Sequence, residues 1–177
     1  VQHVFEMQGR LHDGVEWLNA TAPNWSDSAL AFHNWWHLAL HQLELNDIPA
    51  ALGTYDSFVH PKPTTIALEL IDASQLLARI QLRGGNVGAR WSELADCWAK
   101  TEECGFYVFN DLHALLAYAF AGREADVNRM LSAFERSAAS VGTNAENVRA
   151  VGLPVALAIV AMAAGRPAEA LERLLPV

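Results

Sequence analysis

Three histidines stand four residues apart in the segment Phe32-His33-Asn34-Trp35-Trp36-His37-Leu38-Ala39-Leu40-His41. On a helix that spacing puts all three on one slowly rotating face, where imidazoles can chelate a metal, move protons or hydrogen-bond a ligand. The zinc-protease helix uses two histidines at this spacing, but it needs a glutamate directly after the first as general base. Asn34 stands in that place. The segment therefore reads as a packed or surface histidine cluster, with no metal and no cofactor expected. Trp35 and Trp36 would point about 100° apart on the same helix, so they cannot share one environment.

The pattern extends beyond one helix. Gly9, Asn46, Gly84, Gly122 and Gly165 each break an apolar helical stretch, at separations of 37, 38, 38 and 43 residues. Twelve residues before the second, third and fourth breakers stand Asn34, Asp72 and Asn110, and nine residues before them stand His37, Gln75 and His113. His33 and Asp111 adjoin this stripe. In a helix-pair solenoid the first helices line the concave surface, so the residues form a candidate polar ladder in a groove. The ladder has two uses. Its members can satisfy one another, because buried polar groups need partners, or they can bind a peptide or small polar molecule. The ligand-binding set is His33, Asn34, His37, Asp72, Asn110, Asp111 and His113. A hydrolase-like enzyme, with or without a divalent metal, is the alternative: His37 or His113 as base, Asp72 or Asp111 orienting it. Ser74 is the nearby nucleophile, but residues two apart on a helix face different ways, which separates it from Asp72.

Positioning these groups requires helices. Ser26 can cap a helix over 27–45, and Thr143-Asn144-Ala145-Glu146 has the form of a capping box. Pro49 and Pro167 fall in first turns, where a missing N–H costs nothing, and 59–63 reads as an irregular connector because neither proline fits inside a helix. Five residues after three of the breakers come Gly14, Ala51 and Ala170, small enough for close helix approach. Nine after them come Leu18, Tyr55 and Leu174, large enough to fill the space between helices. No stretch has the sustained alternation of a half-buried strand. The expected fold is all-α, a single helical-repeat domain over 1–177 built as a superhelix of about five helix pairs.

Composition narrows the partners. With 12 Lys and Arg against 20 Asp and Glu the formal charge is −8, and no basic cluster interrupts it, so nucleic acid is not expected. The longest apolar run, over 153–164, is short of the ~20 residues of a crossing helix, so no membrane partner is expected. Cys97 and Cys104 are too few for a disulfide scaffold and fit a reduced intracellular compartment. The first residue is Val1, the opening helix over 1–8 has no capping residue before it, and the chain ends on Leu174-Leu175-Pro176 without a polar finish. A piece of a longer chain is expected, with association through its repeat ends as a third possible role.

The short turns, with a small residue at the eighth position (Ala39, Ala158), resemble the tetratricopeptide repeat, although the period exceeds its usual ~34 residues. The segments His3-Val4-Phe5-Glu6-Met7, His33 to Leu40, Leu70-Ile71-Asp72-Ala73-Ser74, Arg90-Trp91, Phe109-Asn110-Asp111-Leu112-His113, Gly152-Leu153-Pro154 and Leu174-Leu175-Pro176 together resemble the tetratricopeptide repeat protein 38 family, in order along the whole chain. The resemblance implies a soluble, mainly cytosolic helical-repeat protein and no particular chemistry. The family's recurring polar positions fall on the same seven ladder residues, with His3 and Glu6 belonging to the pattern.

Overall fold

The computed structural model describes residues 1–101 and 107–177; Cys104 lies outside the described residues. Their regular structure is entirely helical, with no strand among them. The chain divides into two compact units, Val1–Arg90 and Trp91–Val177.

The first unit contains α1 (Gln2–Met7), α2 (Leu11–Thr21), α3 (Ala31–Glu44), α4 (Ile48–Thr54) and α5 (Ala67–Leu82). A π turn over Tyr55–Val59 continues α4. Helix α3 is the centre of the unit, packing on α2, α4, the π turn and α5. Its own Leu38, Ala39 and Leu43 are buried, as are Leu70, Ala73, Leu76, Leu77 and Ile80 of α5. The ends of α3 and α5 are tied by Arg83, which donates to the Leu43 carbonyl at 3.2 Å and to Glu44 at 2.6 Å.

The second unit contains α7 (Val108–Phe120), α8 (Glu124–Ala138), α9 (Thr143–Asn147), α10 (Leu153–Ala163) and α11 (Pro167–Leu174), with α6 (Arg90–Trp98) starting at the unit boundary. Here α10 packs on α7, α8 and α11. Trp91 stacks on Phe120 with ring centroids 5.1 Å apart, and Cys97 is a buried free thiol.

All five breakers end a helix in the same way. Gly9, Asn46, Gly84, Gly122 and Gly165 have φ between 63° and 85°. At each, the breaker's N–H bonds the carbonyl three residues back, and the next N–H bonds the carbonyl five back, as in Asn46 N to Leu43 O at 2.9 Å and Asp47 N to Gln42 O at 2.8 Å. This pair of hydrogen bonds satisfies carbonyls that a helix end otherwise leaves orphaned. Asn46 is the one non-glycine with positive φ among the described residues, a residue type that visits that region more readily than most. The spacing rule for small residues also holds, since Gly14, Ala51 and Ala170 are buried. The rule for large ones holds at Leu18 and Tyr55 but not at Leu174, which is 42% exposed.

Three expectations need correction. Helix α3 starts at Ala31, not at Asp27, and Leu30 in the cap position makes no side-chain bond. Residues 26–30 instead form successive turns, beside Trp25, whose indole N–H donates to Thr21 Oγ1 at 3.0 Å and whose ring packs on Trp35. The cap before α9 is Gly142 (φ 114°), and Thr143 is already helical and makes no cap bond. Finally, α9, a π turn over Val148–Gly152 and α10 run together as one 21-residue helix, Thr143–Ala163, with mean hydropathy 1.5 over its most apolar window. By length and composition that helix suffices to cross a membrane.

Candidate functional site

The first unit gathers the histidine face of α3 with side chains from α1 and α5. His33 is half-exposed, and its Nδ1 meets Asp72 Oδ2 of α5 at 2.8 Å. Asp72 is only 4% exposed, so its charge must be matched locally. The Asp72 hydrogen bond is the main reason that the His33 pKa is raised, against the opposing effect of burial.

One turn later, His37 is buried, and its Nδ1 lies 3.4 Å from Glu6 Oε2 of α1. At that separation the two form no aligned hydrogen bond. Burial, then the neighbouring His33 and His3, push the His37 pKa down to about 3, so it stands neutral at ordinary pH. The His3 ring lies 4.7 Å from that of His37, edge to face. Trp36 stacks on His33 with centroids 5.2 Å apart and 12° between planes, and meets the His37 ring edge-on at 4.9 Å. The Trp36 indole N–H is buried with no hydrogen-bond partner among the described residues. Trp35 turns away, stacking on Phe58 at 4.1 Å. The two tryptophans therefore occupy different environments, as their spacing required, and neither is fully buried.

His41, the third member of the face, is used structurally. It is buried against Gly14, and Gln2 Nε2 donates to its Nε2. That bond requires an unprotonated acceptor nitrogen, and burial lowers the His41 pKa from 6.5. The folded state thus binds this proton less readily than the unfolded chain does. The His41 contribution to stability is expected to be full above about pH 6.5 and to fall as pH drops below it. His41→Gln should flatten that fall in urea titrations of chelator-treated protein, and an unchanged slope between pH 7 and 5 would refute the assignment.

Of the other ladder residues, Asn34 is half-buried on α3 and Gln75 half-buried on α5. Ser74 is fully buried and donates to the Leu70 carbonyl at 2.7 Å, which removes it as an accessible nucleophile. Asn110, Asp111 and His113 lie on α7 of the second unit. Asp111 and His113 are buried there and Asn110 is half-buried. His113 Nδ1 donates to the carbonyl of Phe109, one turn earlier in its own helix, at 2.7 Å.

The structure thus joins His33, His37 and Asp72 and adds Glu6 and His3. Spacing on α3 and the breaker count found the first three. His3 and Glu6 entered only through the family resemblance, because a contact between separate helices leaves no periodic trace.

No family model matches this chain, and no solved structure matches it. Its chemistry must be argued from its own side chains.

Proposed function

We propose that this chain is a helical-repeat cytosolic scaffold, a tetratricopeptide-like α-α superhelix of about five helix pairs akin to the tetratricopeptide repeat protein 38 family. It binds a peptide or small polar molecule at His33, Asn34, His37 and Asp72. Supporting the repeat reading are five helix stops of one construction at near-regular spacing. The observation that carries the binding reading is the buried Trp36 indole N–H without a partner, beside an imidazole–carboxylate pair. Native structures rarely leave a buried donor unpaired, and one that does so calls for an acceptor from outside the chain, a ligand atom or a water. Asn110, Asp111 and His113 are proposed as a like-built polar stripe of the second unit. The hydrolase alternative loses Ser74 as its nucleophile and retains only water-activating versions.

The test is an NMR screen of chelator-treated, nitrogen-15-labelled protein against a peptide library and a set of small polar molecules. A true ligand shifts the Trp36 indole N–H signal. Its affinity falls about fivefold or more in Asn34→Ala, the loss of one net hydrogen bond. Ligands that leave the α3 signals unmoved, or bind Asn34→Ala and His33→Ala as well as the parent, would sink the assignment.

A further inference from the structure

His3 changes what the cluster can do. It sits on α1, and one ring nitrogen from each of His3, His33 and His37 lies within 4.8 Å of the other two. We propose that these three histidines bind one divalent transition-metal ion of the zinc class, with Asp72 bonded to the far nitrogen of His33 and Glu6 facing that of His37. The proposal rests on reading this cluster as a binding place, and it names a metal ion as the occupant.

Four features point the same way. Imidazole donors suit zinc, copper or nickel and disfavour magnesium and calcium, which take oxygen ligands. Metal-bound histidines nearly always give their second nitrogen to a carboxylate or carbonyl, which fixes the tautomer and aims the ring. Here Nδ1 of His33 meets Asp72 at 2.8 Å, which leaves its Nε2 as the ligating atom, and Nδ1 of His37 lies 3.4 Å from Glu6. Charge also closes, since a dication on three neutral imidazoles is balanced by two carboxylates, one of them buried. The stacked Trp36 ring restrains His33 from one side, supplying the apolar wall that such sites use.

Three nitrogens around one zinc at about 2.0–2.1 Å stand about 3.3 Å apart, so the rings must draw together from their present spacing. His3, exposed and on a six-residue helix, is the one free to move. His41 is excluded despite its spacing, being held by Gln2 and packed on Gly14. Three protein ligands leave a fourth position for water or an incoming donor group, the arrangement of reactive zinc sites and not of closed structural ones.

The experiment titrates chelator-stripped protein with Co²⁺, read by visible absorption, and with Zn²⁺, read by calorimetry. One ion per chain is expected, with the intense absorption of low-coordinate Co²⁺. His3→Ala removes that spectrum while helicity by circular dichroism is kept, because His3 is exposed. Asp72→Asn weakens Zn²⁺ about 10–100-fold. His12→Ala, exposed on α2 and outside the cluster, leaves binding unchanged. Absence of saturable uptake, or uptake equal in parent and His3→Ala, would overturn the proposal. The ligand screen runs in chelator and this titration runs without organic ligand, so either reading can fail alone.

Discussion

Truncating Tyr55 to alanine is expected to cost the first unit about 3–5 kcal/mol, the range for removing a large buried ring. The same truncation at Leu174 is expected to cost under about 1 kcal/mol. Both residues stand nine positions after a breaker, so a rule based on sequence position alone would treat them alike. Burial separates them. Tyr55 is 2% exposed and Leu174 is 42% exposed, and a smaller side chain already partly in water has much less transfer free energy to lose. Tyr55 also stands at the start of the π turn that packs on α3 and α5, so its loss leaves a cavity beside the helices that hold His33 and Asp72. Urea unfolding followed by amide exchange in α3 and α5 reads the effect in the first unit. Equal costs at the two positions would show that the repeat position, and not the local packing, sets the energy.

Gly14→Ala should also destabilise the first unit, against the ordinary preference of helices for alanine. Alanine gains about 1 kcal/mol over glycine inside a helix. At Gly14, however, a Cβ would lie 2.5 Å from His41 Nε2 and 2.8 Å from Cε1. The obstacle is a ring that cannot bend, buried in α3 and bonded by Gln2. Forcing the ring aside costs about 1–3 kcal/mol for overpacking, plus the Gln2 bond. The expected sign is therefore a net loss. The cause is checked by a double-mutant cycle: in a His41→Ala background the clash is gone, and Gly14→Ala should become neutral or stabilising. An equal loss in both backgrounds would mean that the close approach of α2 and α3 is not what fixes glycine here.

The parts legible in the sequence were those governed by local rules. The five breakers were readable because a left-handed helix stop demands glycine or asparagine wherever it occurs. Gly14, Ala51 and Ala170 were readable because small residues at helix crossings recur at a fixed offset. His33, His37 and Asp72 were readable because helical spacing and the breaker count place them on facing stripes. The start of α3 was not, because an eligible serine cap at Ser26 lost to the turns beside the packing of Trp25 on Trp35. Nor was the division of labour along the histidine face. His33, His37 and His41 share one spacing, yet Asp72, Glu6 and Gln2 give them three different surroundings. Those partners come from other helices, and no period within α3 encodes them.

The shared construction of the helix stops bears on how the chain finds its fold. Each stop is closed by backbone bonds spanning no more than five residues, and within each unit most packed helices are one or two elements apart, with α7 on α10 the longer reach. Closing such short loops costs little chain entropy, and proteins dominated by local contacts fold fast. The order of events within a unit is then set by which pair buries apolar surface first, not by a slow search for distant partners.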